Sequence, residues 1–315
     1  MDISVVIPVF NEELNVKHLH RELHSVLEGM KLKGGYEIIF IDDGSIDKTS
    51  EFLEEIASGD KKTKVIKFRR NSGKTAALSA GFDIAKGKVI ITMDGDLQND
   101  PSDIPLLLKK MDEGYDVVSG WRKKRKDPFL SKKVPSKLSN RMASKLTGIK
   151  IHDFNCPIKA YKRETLKDIK LYGEMHRYIP ALAALNGFRV TEIEVKHYPR
   201  RYGKSKYGFG RLIKGFLDLI YIVFWSKYST RPFHFFGFLG LIEILIGLVI
   251  VVYKVIVELL IFNMPLVIGP LSILALITII TGIQLFVFGF LMEVQIRTYY
   301  KVGEETYRIE KVLNK

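Results

Sequence analysis

Cysteine is almost absent: Cys156 is the only one in 315 residues, which excludes a disulfide framework and any cysteine-rich zinc or iron–sulfur site. A reducing, cytoplasmic setting for the active domain fits that scarcity. No GxGxxG follows the first apolar run, so a dinucleotide site lacks its fingerprint. Gly73-Lys74-Thr75 ends like a P-loop, but that motif needs glycine five positions before Gly73, and Phe68 stands there. The opening MDISVVIPVFNEE has an acid where a signal peptide needs basic residues, and its apolar run is only a few residues long, so mature structure is expected there. Internal repeats and low-complexity tracts are lacking. Acidic residues are in deficit: 35 Asp and Glu against 49 Lys and Arg leave a formal charge of +14. That excess implies an anionic partner, and nucleic acid, an acidic membrane surface and a phosphorylated substrate all satisfy it.

Charge is also missing from two long stretches. Pro265 to Met292 is 28 residues without a charge, Gln284 being the most polar; as a helix it would extend roughly 42 Å at ~1.5 Å per residue, enough to span a bilayer with tilt. Phe235 to Val252 is interrupted only by Glu243, whose insertion would cost about 2 to 3.5 kcal/mol. It still reads as a span, with Glu243 pairing to another helix, snorkelling or handling lipid. Lys204, Lys206, Arg211, Lys214, Lys227 and Arg231 precede the first span, and Arg297, Lys301, Arg308 and Lys311 follow the second. The positive-inside rule then predicts a multi-pass protein of the cell membrane with both termini cytoplasmic. Before the first span, Leu212, Ile213, Phe216, Leu217, Leu219 and Ile220 recur at helical spacing among Arg211, Lys214 and Asp218. That pattern suits an interfacial helix or a core helix of the preceding domain.

The first two thirds of the chain alternates. Ile3–Val9, Tyr36–Ile41, Lys64–Phe68, Lys88–Met93 and Asp116–Ser119 read as short apolar strands. Helix-length segments separate them, among them Asp47–Ala57, Thr75–Ala85 and Ile104–Glu113. Such alternation predicts an α/β fold with a mostly parallel sheet flanked by helices. Ligands bind beyond the carboxyl ends of the strands in such sheets. Asn11-Glu12, Asp42-Asp43 and Asp94-Gly95-Asp96 all fall there, so three acidic clusters should meet on one edge. Asp94, Asp96 and the amide oxygen of Gln98 are hard oxygen ligands suited to Mg²⁺ or Mn²⁺, which could in turn hold a diphosphate. Taken alone, a DxD is equally a solvated turn or a helix cap.

SVVIPVFNEE, IDDGSIDKT, NSGKTAALSAGF, MDGDLQNDP, VVSGWR and RRYGKSKYG occur in the order and spacing of family 2 glycosyltransferases. The ensemble resembles the branch that loads sugars onto polyprenyl phosphates, which includes dolichol-phosphate mannose synthase and the bacterial undecaprenyl-phosphate glycosyltransferases. The likeness implies a GT-A-like catalytic domain and a nucleotide-sugar donor of the GDP-mannose or UDP-glucose type. It implies that Pro8, Phe10, Glu12, Ile41 and Asp43 cradle the nucleoside, with Glu12 and Asp43 reading base or ribose. Phe10 stands where many relatives have tyrosine. Lys74 and Gly95 join the donor-binding set; Asp94, Asp96 and Gln98 become the metal and diphosphate group. Arg122, Arg200 and Lys206 match phosphate-binding positions, and Asp153 matches an aspartate lining the acceptor site. Lys159 is a further candidate for the acceptor phosphate, although several relatives are apolar there. The processive branch carries QxxRW on an interfacial helix; neither Trp121 nor Trp225 has that context, which argues against polymer synthesis.

The chemistry agrees with the resemblance. A phosphate monoester is largely a dianion at neutral pH, its second pKa being about 6, so it needs no strong general base to attack. What it needs is charge compensation, from a divalent ion on the leaving diphosphate and from Arg and Lys on the acceptor. Between Gly120 and Lys150 stand 11 Lys or Arg residues against Asp127 alone. Lys123-Lys124-Arg125-Lys126 reads as a lipid-attracting surface or as a solvated loop. The expected organisation is a catalytic domain over residues 1–208, an interfacial segment at 209–231, transmembrane helices at 232–257 and 264–292, and a cytoplasmic tail at 293–315. The expected activity is inverting, metal-dependent transfer of a hexose to polyprenyl phosphate at the cytoplasmic face, with a homo-oligomer possible. The alternatives are an anchored glycosyltransferase with a water-soluble or polysaccharide acceptor, an inactive scaffold, and a membrane-tethered nucleic-acid binder. The last predicts aromatic residues interleaved with the basic run, yet only Trp121 and Phe129 flank it, so no nucleic-acid partner is expected.

Overall fold

A computed structural model of the chain describes residues 1–123, 140, 144, 148–167, 169, 171, 173–199, 224, 228, 231–263 and 265–301. The chain divides into two compact units, Met1–Tyr221 and Ile222–Lys315. In the first, β1 (Ile3–Val9), α1 (Val16–Gly29), β2 (Tyr36–Asp42), α2 (Thr49–Gly59), β3 (Thr63–Lys67), α3 (Lys74–Ile84), β4 (Val89–Thr92), α4 (Ile104–Asp112) and β5 (Val117–Trp121) alternate as the apolar pattern predicts, with ends shifted by a few residues at most. Next come β6 (Lys159–Lys162), α5 (Arg163–Lys167), α6 (Ile179–Leu185) and β7 (Val190–Glu194).

The seven strands form one sheet in the order β3-β2-β1-β4-β6-β5-β7. All pairings are parallel except the two made by β6, which runs antiparallel between β4 and β5. Neither β6 nor β7 was expected. KAYK has a lysine at each end and no apolar run to mark it; it becomes a strand because the neighbours on both sides bury it. Along β2 the side chains alternate between two cores, Ile38 and Phe40 on one face and Ile39 and Ile41 on the other, as a pleated strand covered on both sides requires. On the first face, Val16, Leu19, Leu23 and Leu27 of α1 recur at three- and four-residue steps and are buried. Ala77 and Leu78 of α3 close the second.

The second unit contains α7 (Pro232–Val255), a π-helical turn (Ile256–Ile261) and α8 (Pro270–Lys301). Both helices are long and apolar enough to cross a membrane. α8 starts at Pro270 instead of near Pro265, because a proline accepts the first helical position but disfavours helix in the residue before it. The helices meet where side chains vanish: a Cβ on Gly240 would lie 2.5 Å from the Gly282 carbonyl oxygen. One turn on, the Thr281 hydroxyl donates to Glu243 Oε2 at 2.7 Å, so this acid is paired across the helices. The segment 209–231 lies almost wholly outside the described residues, as does the tail beyond 301.

Candidate active site

β2, β1 and β4 are adjacent and parallel, so their carboxyl ends lie side by side, and the three acidic clusters do share one edge of the sheet. After β1 the chain turns at Asn11, in the left-handed region at φ 51°. The Asn11 side-chain oxygen accepts from the Ile46 N–H at 2.9 Å, and its own N–H donates to Ser45 Oγ at 2.9 Å, which ties the first cluster to the loop after β2. Glu12 accepts from Asn15 Nδ2 at 2.5 Å. Asp42 caps its own loop by accepting from Ser45 N–H and the Ser50 hydroxyl. Asp43 is buried, and its two carboxylate oxygens accept from the N–H groups of Ser72 and Gly73 at 2.7 and 2.9 Å. Burial raises its pKa, against the pull of those two donors. Pro8 and Phe10 are half-buried at this edge, whereas the Ile41 side chain is fully buried in the core, so Ile41 meets a ligand here only through its main chain.

The turn after β4 carries Asp94, Gly95, Asp96 and Gln98. A side chain at Gly95 would collide with Val9, its Cβ lying 2.6 Å from Val9 Cγ1, so glycine lets the turn fold down over the end of β1. Leu97 sits at φ 58°, an uncommon conformation for a leucine, which reverses the chain between Asp96 and Gln98. Asp94 and Asp96 are half-buried, and Lys74, the first residue of α3, pairs with Asp94 Oδ1. The Gln98 N–H lies 3.3 Å from Asp96 Oδ1, and its side-chain nitrogen donates to the Tyr198 carbonyl at 3.2 Å. Tyr198 N–H returns a bond to the Gln98 carbonyl at 2.9 Å, and Asn99 bridges His197 beside it. The residues fit a divalent ion: two accessible carboxylates and an amide oxygen offer hard ligands, and the turn already attracts one cation, the Lys74 ammonium. Among the described residues no group of three His, Cys, Asp or Glu side chains forms a complete cage. A set of this kind suits Mg²⁺ or Mn²⁺, which complete their shells with water and phosphate oxygens.

A second polar cluster lies at β5 and β6. Arg122, just past β5, grips Asp153 with two bonds, Nε to Oδ2 at 2.7 Å and Nη2 to Oδ1 at 3.0 Å. The guanidinium is deeply buried; burial opposes its charge, and Asp153 more than offsets this, so its pKa is raised. Lys159, also buried, donates to the Phe154 carbonyl at 2.9 Å and approaches that of Arg177 at 3.5 Å. Desolvation lowers its pKa to about 8. Cys156 lies in the same interior, its thiol pushed up to about 12 by burial, which makes it an inert packing residue. Outward of this layer, Trp121 stacks on His152 with centroids 4.3 Å apart, and His152 pairs with Glu192. This stack was not foreseen, because only the tertiary structure brings Trp121-Arg122 against His152-Asp153. The pairing of Lys74 with Asp94 and the strap from Gln98 to Tyr198 were likewise not foreseen. Arg200, Lys206 and Lys124-Arg125-Lys126 lie outside the described residues.

Residues 4–170 match the family model described as glycosyl transferase family 2. The chain is similar to a dodecaprenyl-phosphate galacturonate synthase of Rhizobium johnstonii, with 36% identity over 305 residues that cover 96% of this chain and 89% of that protein. It is 35% identical over 314 residues to an undecaprenyl-phosphate 4-deoxy-4-formamido-L-arabinose transferase of Proteus mirabilis, covering 99% and 94% of the two chains. Among solved structures, glucosyl-3-phosphoglycerate synthase of Mycobacterium tuberculosis in complex with Mn²⁺, UDP and phosphoglyceric acid superimposes with a TM-score of 0.55 over 71% of this chain and 78% of that one, at 18% identity. That last likeness establishes the GT-A-like fold.

Proposed function

Since the chain belongs to glycosyltransferase family 2, we propose that it transfers a sugar from a nucleotide-sugar to a polyprenyl phosphate at the cytoplasmic face of a membrane, with inversion and with Mg²⁺ or Mn²⁺. One observation carries the acceptor assignment: similarity to an enzyme named for a dodecaprenyl phosphate covers 96% of this chain and so extends through both membrane-length helices, far past residue 170 where the family model ends. A soluble acceptor would need no such helices. The two relatives are named for a hexuronate and a modified pentose, so the donor sugar is assigned here only as a glycosyl group.

In this reading the donor lies along the edge built by β1, β2 and β4, with Asp43 holding the start of α3 and Asp94, Asp96 and Gln98 taking the metal ion. The ion, when bound, neutralises the departing diphosphate. An acceptor phosphate oxygen attacks the anomeric carbon, the new C–O bond forms as the bond to the nucleoside diphosphate breaks, and a single displacement inverts that centre. The dianion attacks without losing a proton, so no general base is required. Arg200 and Lys206 compensate the acceptor charge, whereas Arg122, closed in its two-bond pair with Asp153, braces the polar layer at β5 and β6. Asp153 orients Arg122, and Lys159 holds the Phe154 carbonyl so that the Asp153 loop keeps its place. Full-length protein in detergent, given radiolabelled UDP- and GDP-sugars in turn, should form an organic-extractable, mild-acid-labile product only when polyprenyl phosphate is added. Equal transfer to a water-soluble alcohol or sugar without lipid would overturn the reading.

A further inference from the structure

Lys74 is held from behind and in front. Behind it, the buried Asp43 carboxylate takes the N–H groups of Ser72 and Gly73, and Gly73 adopts φ 91°, so the start of α3 is pinned to the end of β2. In front, the ammonium pairs with one oxygen of Asp94, beyond the end of β4. The lysine therefore crosses the edge above β1, which lies between those strands. Both partners of the ion pair remain 27% exposed, and the contact uses one oxygen of one carboxylate. Such a pair is held weakly enough to exchange.

We infer that Lys74 is an internal counter-cation that competes with the divalent ion for Asp94 and is released to the donor diphosphate when metal and nucleotide bind together. The inference rests on the metal reading above and adds a coupling to it. The charge balance carries the argument. With Asp94 ionised and Lys74 charged, that pair is neutral as it stands. A divalent ion taken up by Asp94 alone adds two positive charges there and leaves the ammonium facing a second cation at half-buried depth. A diphosphate, with about two negative charges in a nucleotide-sugar and about three in free UDP or GDP, offsets the ion and offers the displaced ammonium a new anion. Metal alone is thereby disfavoured, while metal with nucleotide is favoured, and by linkage each tightens the other.

The test uses full-length protein in detergent and Mn²⁺ as the probe, with binding read by calorimetry or by the free-Mn²⁺ EPR signal, with and without UDP or GDP. Wild type should take up Mn²⁺ weakly alone and more tightly with the matching nucleotide. Lys74→Met should bind Mn²⁺ alone about tenfold more tightly, within the range typical of coupled sites, and should lose most of the nucleotide-dependent gain. Lys74→Arg keeps the charge and should behave like wild type, and Lys74→Gln gives a second neutral variant should the methionine perturb folding. Equal Mn²⁺ affinity in wild type and both neutral variants would overturn the inference while leaving the metal reading intact. No Mn²⁺ uptake by any of them, with or without nucleotide, would remove the metal reading and the inference with it.

Discussion

Two of the Asp–cation pairs in the catalytic unit, Lys74–Asp94 and Arg122–Asp153, differ in every property that decides what an ion pair can do. Lys74–Asp94 has a single contact and both side chains are 27% exposed. Arg122–Asp153 is bidentate, with its side chains 9% and 4% exposed. Water screens the first pair and can replace either partner, so it can open for a ligand. The second has no solvent to fall back on, and separating it leaves a bare charge in the interior. The contrast shows how one fold can keep a donor edge exchangeable while the polar layer beside it stays rigid. Lys159, buried beneath that second layer, extends the rule: its ammonium survives there by donating to main-chain carbonyls.

The comparison can be broken most directly at Arg122. Arg122→Met strands Asp153 without its partner and should destabilise the catalytic unit by about 3 to 5 kcal/mol, as removing one partner of a buried pair does; a thermal or urea midpoint close to that of wild type would show that the pair is not sealed. At the open edge, Asp96→Ala removes a proposed metal ligand with little packing at stake. It should lower turnover by more than ~100-fold, beyond the loss usual for groups that only orient ligands, and should abolish metal-dependent nucleotide binding. Near-normal turnover by this variant in EDTA-treated buffer would refute the metal assignment.

Lys159 sharpens the contrast through pH. Its pKa falls from 10.5 to about 8 because burial penalises the ammonium. Between those values the unfolded chain keeps a proton that the folded chain has released. Stability should therefore climb with pH across this window, by about 3 kcal/mol at most, and Lys159 should contribute no slope below it. Subtracting the profile of Lys159→Met, measured as denaturant midpoints from pH 7 to 10.5, isolates the climb; parallel profiles would show that the ammonium is solvated. Lys74→Met, by contrast, should cost at most about 1 kcal/mol of stability, since its pair is screened, and a loss as large as that at Arg122 would erase the distinction between the two pairs. The smallest effect is expected in the apolar unit, where Thr281→Val removes the bond to Glu243. A loss of about 0.6 kcal/mol is typical of polar contacts between membrane helices, readable as an increased unfolding rate in detergent.

How far the sequence could be read follows from the range of the forces involved. Ile3–Val9 and Tyr36–Asp42 announce themselves because a strand covered on both faces must be apolar throughout, a property of neighbouring residues. The acidic strand ends and the two long apolar helices were legible for the same local reason. β6 was not, because KAYK is polar in isolation and only β4 and β5 make it a strand. Nor could the sequence say that Asp43 would hold Ser72 and Gly73, that Lys74 would reach Asp94, or that Arg122 would close on Asp153, partners 29, 30, 20 and 31 positions apart. The sequence by itself determined which residues could bear charge at the edge of the sheet. Only the tertiary structure decided which of those charges meet and how much water reaches them, since strand order and burial come from packing across the whole unit, and an ion pair's strength depends on both.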